Sequence, residues 1–342
     1  MSLKHSALAI CSLILVGCAQ RSEMPIRLQG FAQGTTYTIS YFDDQHRDLQ
    51  HQIDSLLADF DLTASLWVDS SLLCRVNSGA DSIVNATFAD ILRLAVDMHS
   101  LTDGAFDCTV GKLVSAWGFG SSARSDVSDS LISALLPFVG PQPYVVTDSL
   151  GRLLLRKPFP ETYIDFNAIA QGYSTDLVSR FLMQQGISSF IVNIGGEVFA
   201  RGSKPDGSPW IVGIERPADN KYSAPVLQTS IALHDQSVVT SGNYRKYYEK
   251  DGMRYSHTIN PATGRPVEHQ LLSVSVIDTA AWRADALATA FMVMGLDRAL
   301  EFIADNSDDP GTQAVFFIYA DSNGYSTYAT ETFNNLISSP TH

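Results

Sequence analysis

The chain lacks most of the features that announce a function. Its 342 residues contain four cysteines and neither a CxxC pair nor a zinc-ligand spacing, which excludes a disulfide framework and a zinc module. No apolar run reaches the roughly 20 residues needed to span a bilayer. Basic residues are few: 23 Lys and Arg against 36 Asp and Glu give a formal charge of −13, which argues against nucleic acid as a partner. There is no GxGxxG after a strand, no GxxxxGK[ST] and no GxSxG, so the usual dinucleotide, phosphate-loop and serine-hydrolase signatures are missing. Internal repeats and long low-complexity linkers are also absent.

The N-terminus carries a positive signal. Lys4 precedes an apolar stretch, Ala7–Val16, that ends in Leu15-Val16-Gly17-Cys18. This reads as a bacterial lipoprotein signal: residues 1–17 are a signal peptide, and the Cys18 sulfur carries the lipid. Residues 18–29 then form a lipidated tether, and residues 30–335 the functional domain. The protein is expected in the bacterial cell envelope, facing the periplasm, with its membrane contact made through the lipid anchor. Cys74 and Cys108 remain, either as a pair or as two buried thiols.

Periodicity outlines a strand at Thr36–Phe42 and helices at Leu49–Phe60 and Thr87–Leu101, the latter capped by Thr87 and stopped at Asp103-Gly104. A hairpin follows at Tyr144–Leu155, then a helix at Ala168–Gln185 ended by Gly186. Strands are expected at Ser189–Asn193, Trp210–Glu215, Thr229–Leu233, Tyr255–Ile259, Leu272–Ile277 and Ala314–Tyr319, with helices at Ala280–Met294 and Leu296–Ala304. Grouped strands with segregated helices indicate an α+β class.

Several clusters between these elements have chemical potential. Asp285 and Thr289 stand four apart on an expected helix, so both oxygens face one way. With His257 in the HTINPATGRP turn, they suit a hard cation beside a phosphate, although such a pair is also common on a solvated face. The glycines of Thr102–Gly111 and Trp117–Gly120 permit close backbone approach, with Phe106, Trp117 and Asp107 among them; an ordinary loop with core aromatics fits equally. Asp165-Phe166-Asn167-Ala168 opens a helix, giving either an anion site or a plain cap. Gly195-Gly196-Glu197 and Thr240–Asn243 read as phosphate cradles or as turns.

Taken in order, these clusters resemble the ApbE family of FAD:protein FMN transferases. The matching stretches are GFAQGTTYTI (30–39), LWVDSSLLCRVN (66–77), TDGAFDCTVGKLVSAWGFG (102–120) and IDFNAIAQGYSTD (164–176). They continue with VNIGGEVFARG (192–202), PWIVGIERP (209–217), the segment 238–267 and ADALATAFMVMG (284–295). The resemblance implies a single two-lobed α+β domain of the ApbE (T-fold-like) type, with FAD held between the lobes. It also implies FAD as substrate, Mg²⁺ as cofactor, and FMN transfer to a threonine or serine hydroxyl of an acceptor protein, releasing AMP. The implied flavin contacts are Gln33, Trp67, Ala105, Phe106, Asp107, Asp165, Gln171 and Ile259. The implied metal contacts are the Ala168 carbonyl, Asp285 and Thr289, and His257 is the implied base. An exported or membrane redox subunit is the acceptor the resemblance suggests.

This chain departs from the family pattern at four places. Gln33 stands for a usual Met, Gln171 for Lys or Glu, Asn260 for Asp before the proline, and Ala288 where some members carry a further carboxylate. Two rival functions remain: an Mg²⁺-dependent FAD pyrophosphatase giving FMN and AMP, and a non-catalytic flavin-binding lipoprotein.

Overall fold

Apolar side chains alternating along the strands build an eight-stranded sheet with both faces covered. The protein, seen in a computed structural model, is described over residues 24–120, 127–217, 226–243, 247–250, 253–322 and 324–338. Cys18 and residues 1–17, read above as a signal peptide, lie outside the described residues. The sheet order is Ile26–Ala32, Thr35–Phe42, Ser189–Ile194, Glu197–Arg201, Gln236–Gly242, Leu271–Asp278, Val315–Asp321 and Gly324–Ala329. Every neighbouring pair is antiparallel, in agreement with the α+β expectation.

The two-residue period of a strand sends successive side chains to opposite faces. Val239, Val274, Val276, Val315 and Phe317 point to the helical side. Val238, Ile277, Phe316 and Ile318 point to the other side, where they meet Trp210, Ile214, Ile231 and Leu233 of a hairpin and Phe333 of the short helix Glu331–Asn334. Near the first strands, Tyr37, Ile39, Tyr41, Phe190 and Val192 pack on Ile53 and Leu57 of the helix Gln50–Ala64 and on Val178 and Leu182 of Ala170–Gln184.

The helix Ala281–Met294 is the centre of the helical layer. It is mostly apolar, with Ala284, Ala286, Leu287, Ala288, Ala290 and Phe291 fully buried, as expected of a helix largely surrounded by protein. Its N-cap, Ala280, has no capping oxygen. Asp176, on the neighbouring helix Ala170–Gln184, supplies one instead: its carboxylate accepts from Ala281 N at 2.9 Å and Trp282 N at 3.0 Å. The same crossing needs Gly172. A Cβ there would lie 2.4 Å from the Ala281 carbonyl oxygen and 2.7 Å from the Trp282 Cα.

The structure departs from the sequence reading in several places. The folded part begins before residue 30, because Ile26–Ala32 is a sheet strand whose Leu28 is buried. The helix Ala86–Leu101 is capped by the Asn85 side chain, which accepts from Phe88 N at 2.8 Å, rather than by Thr87. The expected strand Tyr255–Ile259 is two pieces, Met253–Ser256 and Ile259–Asn260, interrupted at His257. Thr240–Gly242, read as a cradle or turn, belongs to a strand. The helix expected at Ala168 starts at Ala170.

Gly172→Ala is expected to push the two helices apart and destabilise the protein by about 1–3 kcal/mol, the usual cost of overpacking a tight contact. Urea denaturation midpoints of the two proteins at equal m-value test this; an unchanged midpoint would show that the crossing has room to relax.

Candidate active site

One end of the sheet gathers Gln33, Gln171, Asp285 and Thr289 of the residues singled out in the sequence. Gln33 and Gly34, with φ of 53° and 71°, form the turn between the first two strands. Positive φ at both positions suits the twist of a two-residue hairpin. Gly195 and Gly196, with φ of 66° and 111°, form the next such turn, and Gly195 N donates to Thr36 O at 3.1 Å. The phosphate-cradle alternative for Gly195-Gly196 is therefore a hairpin turn here. Val238 pairs with Val198 on the adjacent strand, so Ser241 and Gly242 arrive at the same end. Gln171 reaches it from the first turn of its helix. A Cβ on Gly195 would stand 2.3 Å from Gln171 Nε2, so this glycine makes room for the amide.

Asp285 and Thr289 lie on the central helix, as the spacing predicts. Asp285 is buried, and Gly172 N donates to its Oδ2 at 3.1 Å. Burial lifts its carboxyl to about 7, against the lowering effect of that one N–H. The Thr289 hydroxyl lies 3.5 Å from the Ser241 hydroxyl, a contact the sequence did not single out. A buried carboxylate with one backbone donor, near hydroxyls, is an all-oxygen donor set that a hard divalent cation would satisfy. The residues present therefore fit Mg²⁺.

Two loops are fastened together beside this end. Asp165 N donates to Cys108 O at 2.7 Å, and Asn77 brackets Ile164 with two hydrogen bonds of 2.8 Å. Asp165 accepts from Asn167 N at 2.8 Å in a turn before the helix, but neither residue caps it: the N-cap is Ile169, with no side-chain cap bond. Burial raises the Asp165 carboxyl to about 6. Asp107 is buried too and accepts from Thr109 Oγ1 at 2.6 Å, Thr109 N at 2.7 Å and Gln142 Nε2 at 3.2 Å. His99 Nδ1 lies 3.3 Å from its Oδ2. Burial pushes the Asp107 carboxyl up, but the bonds from His99 and Thr109 outweigh it and hold the group below its usual range. The same contact raises the His99 pKa. His99 and Gln142 were not legible as partners of Asp107, since neither belongs to a local motif.

Exposure sorts the remaining flavin candidates. The Trp67 ring is 64% exposed and free to cover a ligand, whereas Phe106 is 1% exposed within the main core. Ala105 is buried as well, so this stretch offers a ligand its backbone more than its side chains. Ile259 is buried with Leu113, Trp117 and Ile132 in a small satellite core. That core fastens the histidine turn to the glycine-rich loop: Trp117 Nε1 donates to Gly264 O at 2.8 Å, and the Phe119 ring meets the His257 ring edge-on at 6.2 Å. Asn260, which stands for the expected Asp, still shapes the turn by accepting from Ala262 N at 2.9 Å. Ala168 is half-buried between Asn167 and the helix start.

Comparisons agree with the order of motifs. The pattern of the ApbE family matches residues 33–316. A FAD:protein FMN transferase of Vibrio cholerae is 35% identical over 345 residues, spanning 98% of this chain and 100% of that one. One from Salmonella typhimurium is 34% identical across 96% of this chain and 97% of its own. The structure of the flavin transferase ApbE from Vibrio cholerae superposes with a TM-score of 0.78 at 35% identity, covering 91% of this chain and 99% of that one. The pattern match spans most of the chain and both relatives align nearly end to end, so this chain belongs to the ApbE family.

Proposed function

We propose that this protein transfers FMN from FAD to a threonine or serine hydroxyl of an acceptor protein and releases AMP. The acceptor oxygen bonds to the FMN phosphorus while the pyrophosphate P–O bond to the AMP portion breaks. The observation that carries this reading is Asp285, a buried carboxylate with one backbone donor among the described residues, at the sheet end where Thr289 and Ser241 meet. The names of the relatives support it.

Asp285 and Thr289, with the Ala168 carbonyl, are the residues that would hold Mg²⁺, which when bound neutralises charge on the pyrophosphate. The chain's own groups do the rest. The exposed Trp67 ring and the backbone of Ala105–Asp107 position the flavin end, with Gln33, Asp165, Gln171 and Ile259 around it. His257, set in a break between strands and braced by Phe119, takes the proton from the acceptor hydroxyl. The Leu15-Val16-Gly17-Cys18 stretch supports anchoring through Cys18 in the cell envelope, with the domain facing the periplasm.

Two variants separate the roles. Asp285→Asn is expected to demand far more Mg²⁺ for the same rate, because cation affinity follows ligand charge. His257→Ala is expected to keep FAD and Mg²⁺ binding while slowing transfer by roughly 10²–10⁴-fold. Single-turnover rates read by mass as FMN attached to acceptor, with Mg²⁺ titrations, test both. AMP release without FMN on any acceptor would convert the reading to hydrolysis, and wild-type rates in His257→Ala would remove the base.

The buried acids also set a pH dependence. A carboxyl whose pKa is raised on folding contributes stability that is fully present below its unfolded value and is lost as pH rises through its folded value. Asp165 and Asp176 are raised to about 6 and Asp285 to about 7, all chiefly by burial. Without Mg²⁺ and FAD, the melting temperature should therefore climb as pH falls from about 8 to about 5. Mg²⁺ requires the ionised carboxylate, so its added stabilisation should grow in the opposite direction. Thermal melts with chelator and with Mg²⁺ across that range test this, and a chelated protein most stable at alkaline pH would contradict it.

Cys18→Ser is expected to move the protein from the membrane fraction to a soluble or unprocessed form. Identical partitioning of the two forms would dismiss the anchor.

A further inference from the structure

The strand Ile26–Ala32 is an edge of the main sheet, paired only with Thr35–Phe42 among the described residues. Its register shows which of its backbone groups face outward. Thr36 O accepts from Gly195 N, so Thr36, Thr38 and Ser40 turn their backbone groups toward Ser189–Ile194. The alternate residues Tyr37, Ile39 and Tyr41 therefore bond the edge strand through Gly30, Leu28 and Ile26. Arg27, Gln29 and Phe31 are left with N–H and C=O groups pointing away from the sheet.

A groove of about 650 Å³ runs beside these residues, between the edge strand and the helix Gln50–Ala64. Gln29, Phe31 and Ala32 form one side, and Asp54, Ala58 and Asp61 stand on the other. Gly30 keeps the groove shallow-floored: a Cβ there would strike the Tyr37 ring at 2.6 Å, and Tyr37 crosses beneath to donate its hydroxyl to Asp54. The lining contains two carboxylates and no cation. Phe31 is 73% exposed, an unusual liability on an edge strand that carries no proline. The strand ends at the Gln33 turn, beside Asp61, whose carboxyl is raised by burial against the lowering influence of the Gln33 backbone N–H. The Gln33 side-chain amide is shielded there with no hydrogen-bond partner among the described residues.

We infer that an extended, basic-flanked segment of the acceptor protein docks on Arg27–Phe31 as an added strand and is thereby led past Gln33 to the sheet end where Asp285 and Thr289 lie. The inference rests on the transfer reading above. Main-chain pairing supplies affinity in this mode, and side chains on alternate positions supply selectivity. Asp54 and Asp61 favour lysine or arginine on the segment, and Phe31 offers an apolar contact. The Gln33 turn connects the docking edge directly to the candidate active site.

A short synthetic peptide of alternating valine and threonine with a lysine at each end probes the edge. With FAD present it should bind the full chain and slow hydrogen exchange at the Arg27, Gln29 and Phe31 amides. The same peptide with its bonding-face amides N-methylated should not bind, and replacing its lysines by aspartates should weaken binding about tenfold or more. Gln29→Pro removes one outward N–H at an edge position where proline is tolerated, and should weaken binding by about tenfold or more while FAD affinity stays unchanged. Failure of the lysine peptide to bind, equal binding by Gln29→Pro, or protection confined to other strands would overturn the inference. So would self-association of the chain that Gln29→Pro abolishes. FMN attachment to a full-length acceptor is read separately by mass: peptide failure with FMN transfer intact removes the docking edge alone, and peptide binding with no FMN transfer to any acceptor removes the transfer reading alone.

Discussion

The close crossing of the helices Ala170–Gln184 and Ala281–Met294 is the constraint on which the candidate site depends. Three contacts define it: the bare Cα of Gly172 against the Ala281 carbonyl, the Asp176 carboxylate on the first two N–H groups of the second helix, and Gly172 N on Asp285. The first sets the distance between the helices, the second fixes where the second helix begins, and the third fixes where Asp285 points. The alanines along Ala281–Met294 serve the same end, because a helix of larger residues could not lie so near both its neighbour and the sheet. Chemistry at Asp285 thus depends on small residues that carry no chemistry themselves.

A second consequence is electrostatic. Asp165, Asp176 and Asp285 are each withdrawn from water with few donors around them, and each is shifted toward its neutral form. Asp107 is buried too, but the donors on its Oδ1 and the neighbouring His99 hold its carboxyl below the usual range. The contrast separates two kinds of buried acid. Donors on its Oδ1 and the His99 ring beside its Oδ2 offset the burial of Asp107, whereas Asp285 has one backbone donor and the character of a group awaiting a cation.

The sequence made the local parts of this arrangement legible and hid the long-range ones. The four-residue spacing of Asp285 and Thr289 was readable because a helix has a fixed period, and Trp210–Glu215 was bounded correctly by its alternation. The strands Glu197–Arg201 and Gln236–Gly242 were missed because glycine, serine and threonine at their ends mimic turns, and pairing on both sides overrides that composition. Asp176 could not be recognised as a cap for a helix that starts 105 residues later. The break at His257 was hidden because Ser256 and Thr258 look like strand residues, whereas Thr258 N in fact donates to Ser256 Oγ at 3.0 Å across the break. The family resemblance supplied roles that neither spacing nor composition could.

The early start of the first strand has a mechanical consequence. Eight peptide units separate Cys18 from Ile26, and a fully extended chain gains at most about 3.6 Å per residue. A lipid on Cys18 would therefore leash the sheet edge within about 30 Å of the bilayer surface, whatever path those residues take. The domain could sweep only a thin shell above the membrane, about as deep as a small protein is wide. The site lies at the far end of Ile26–Ala32, about 23 Å further along at ~3.3 Å per residue, so the leash and the strand together would set how far from the membrane an acceptor hydroxyl could be reached.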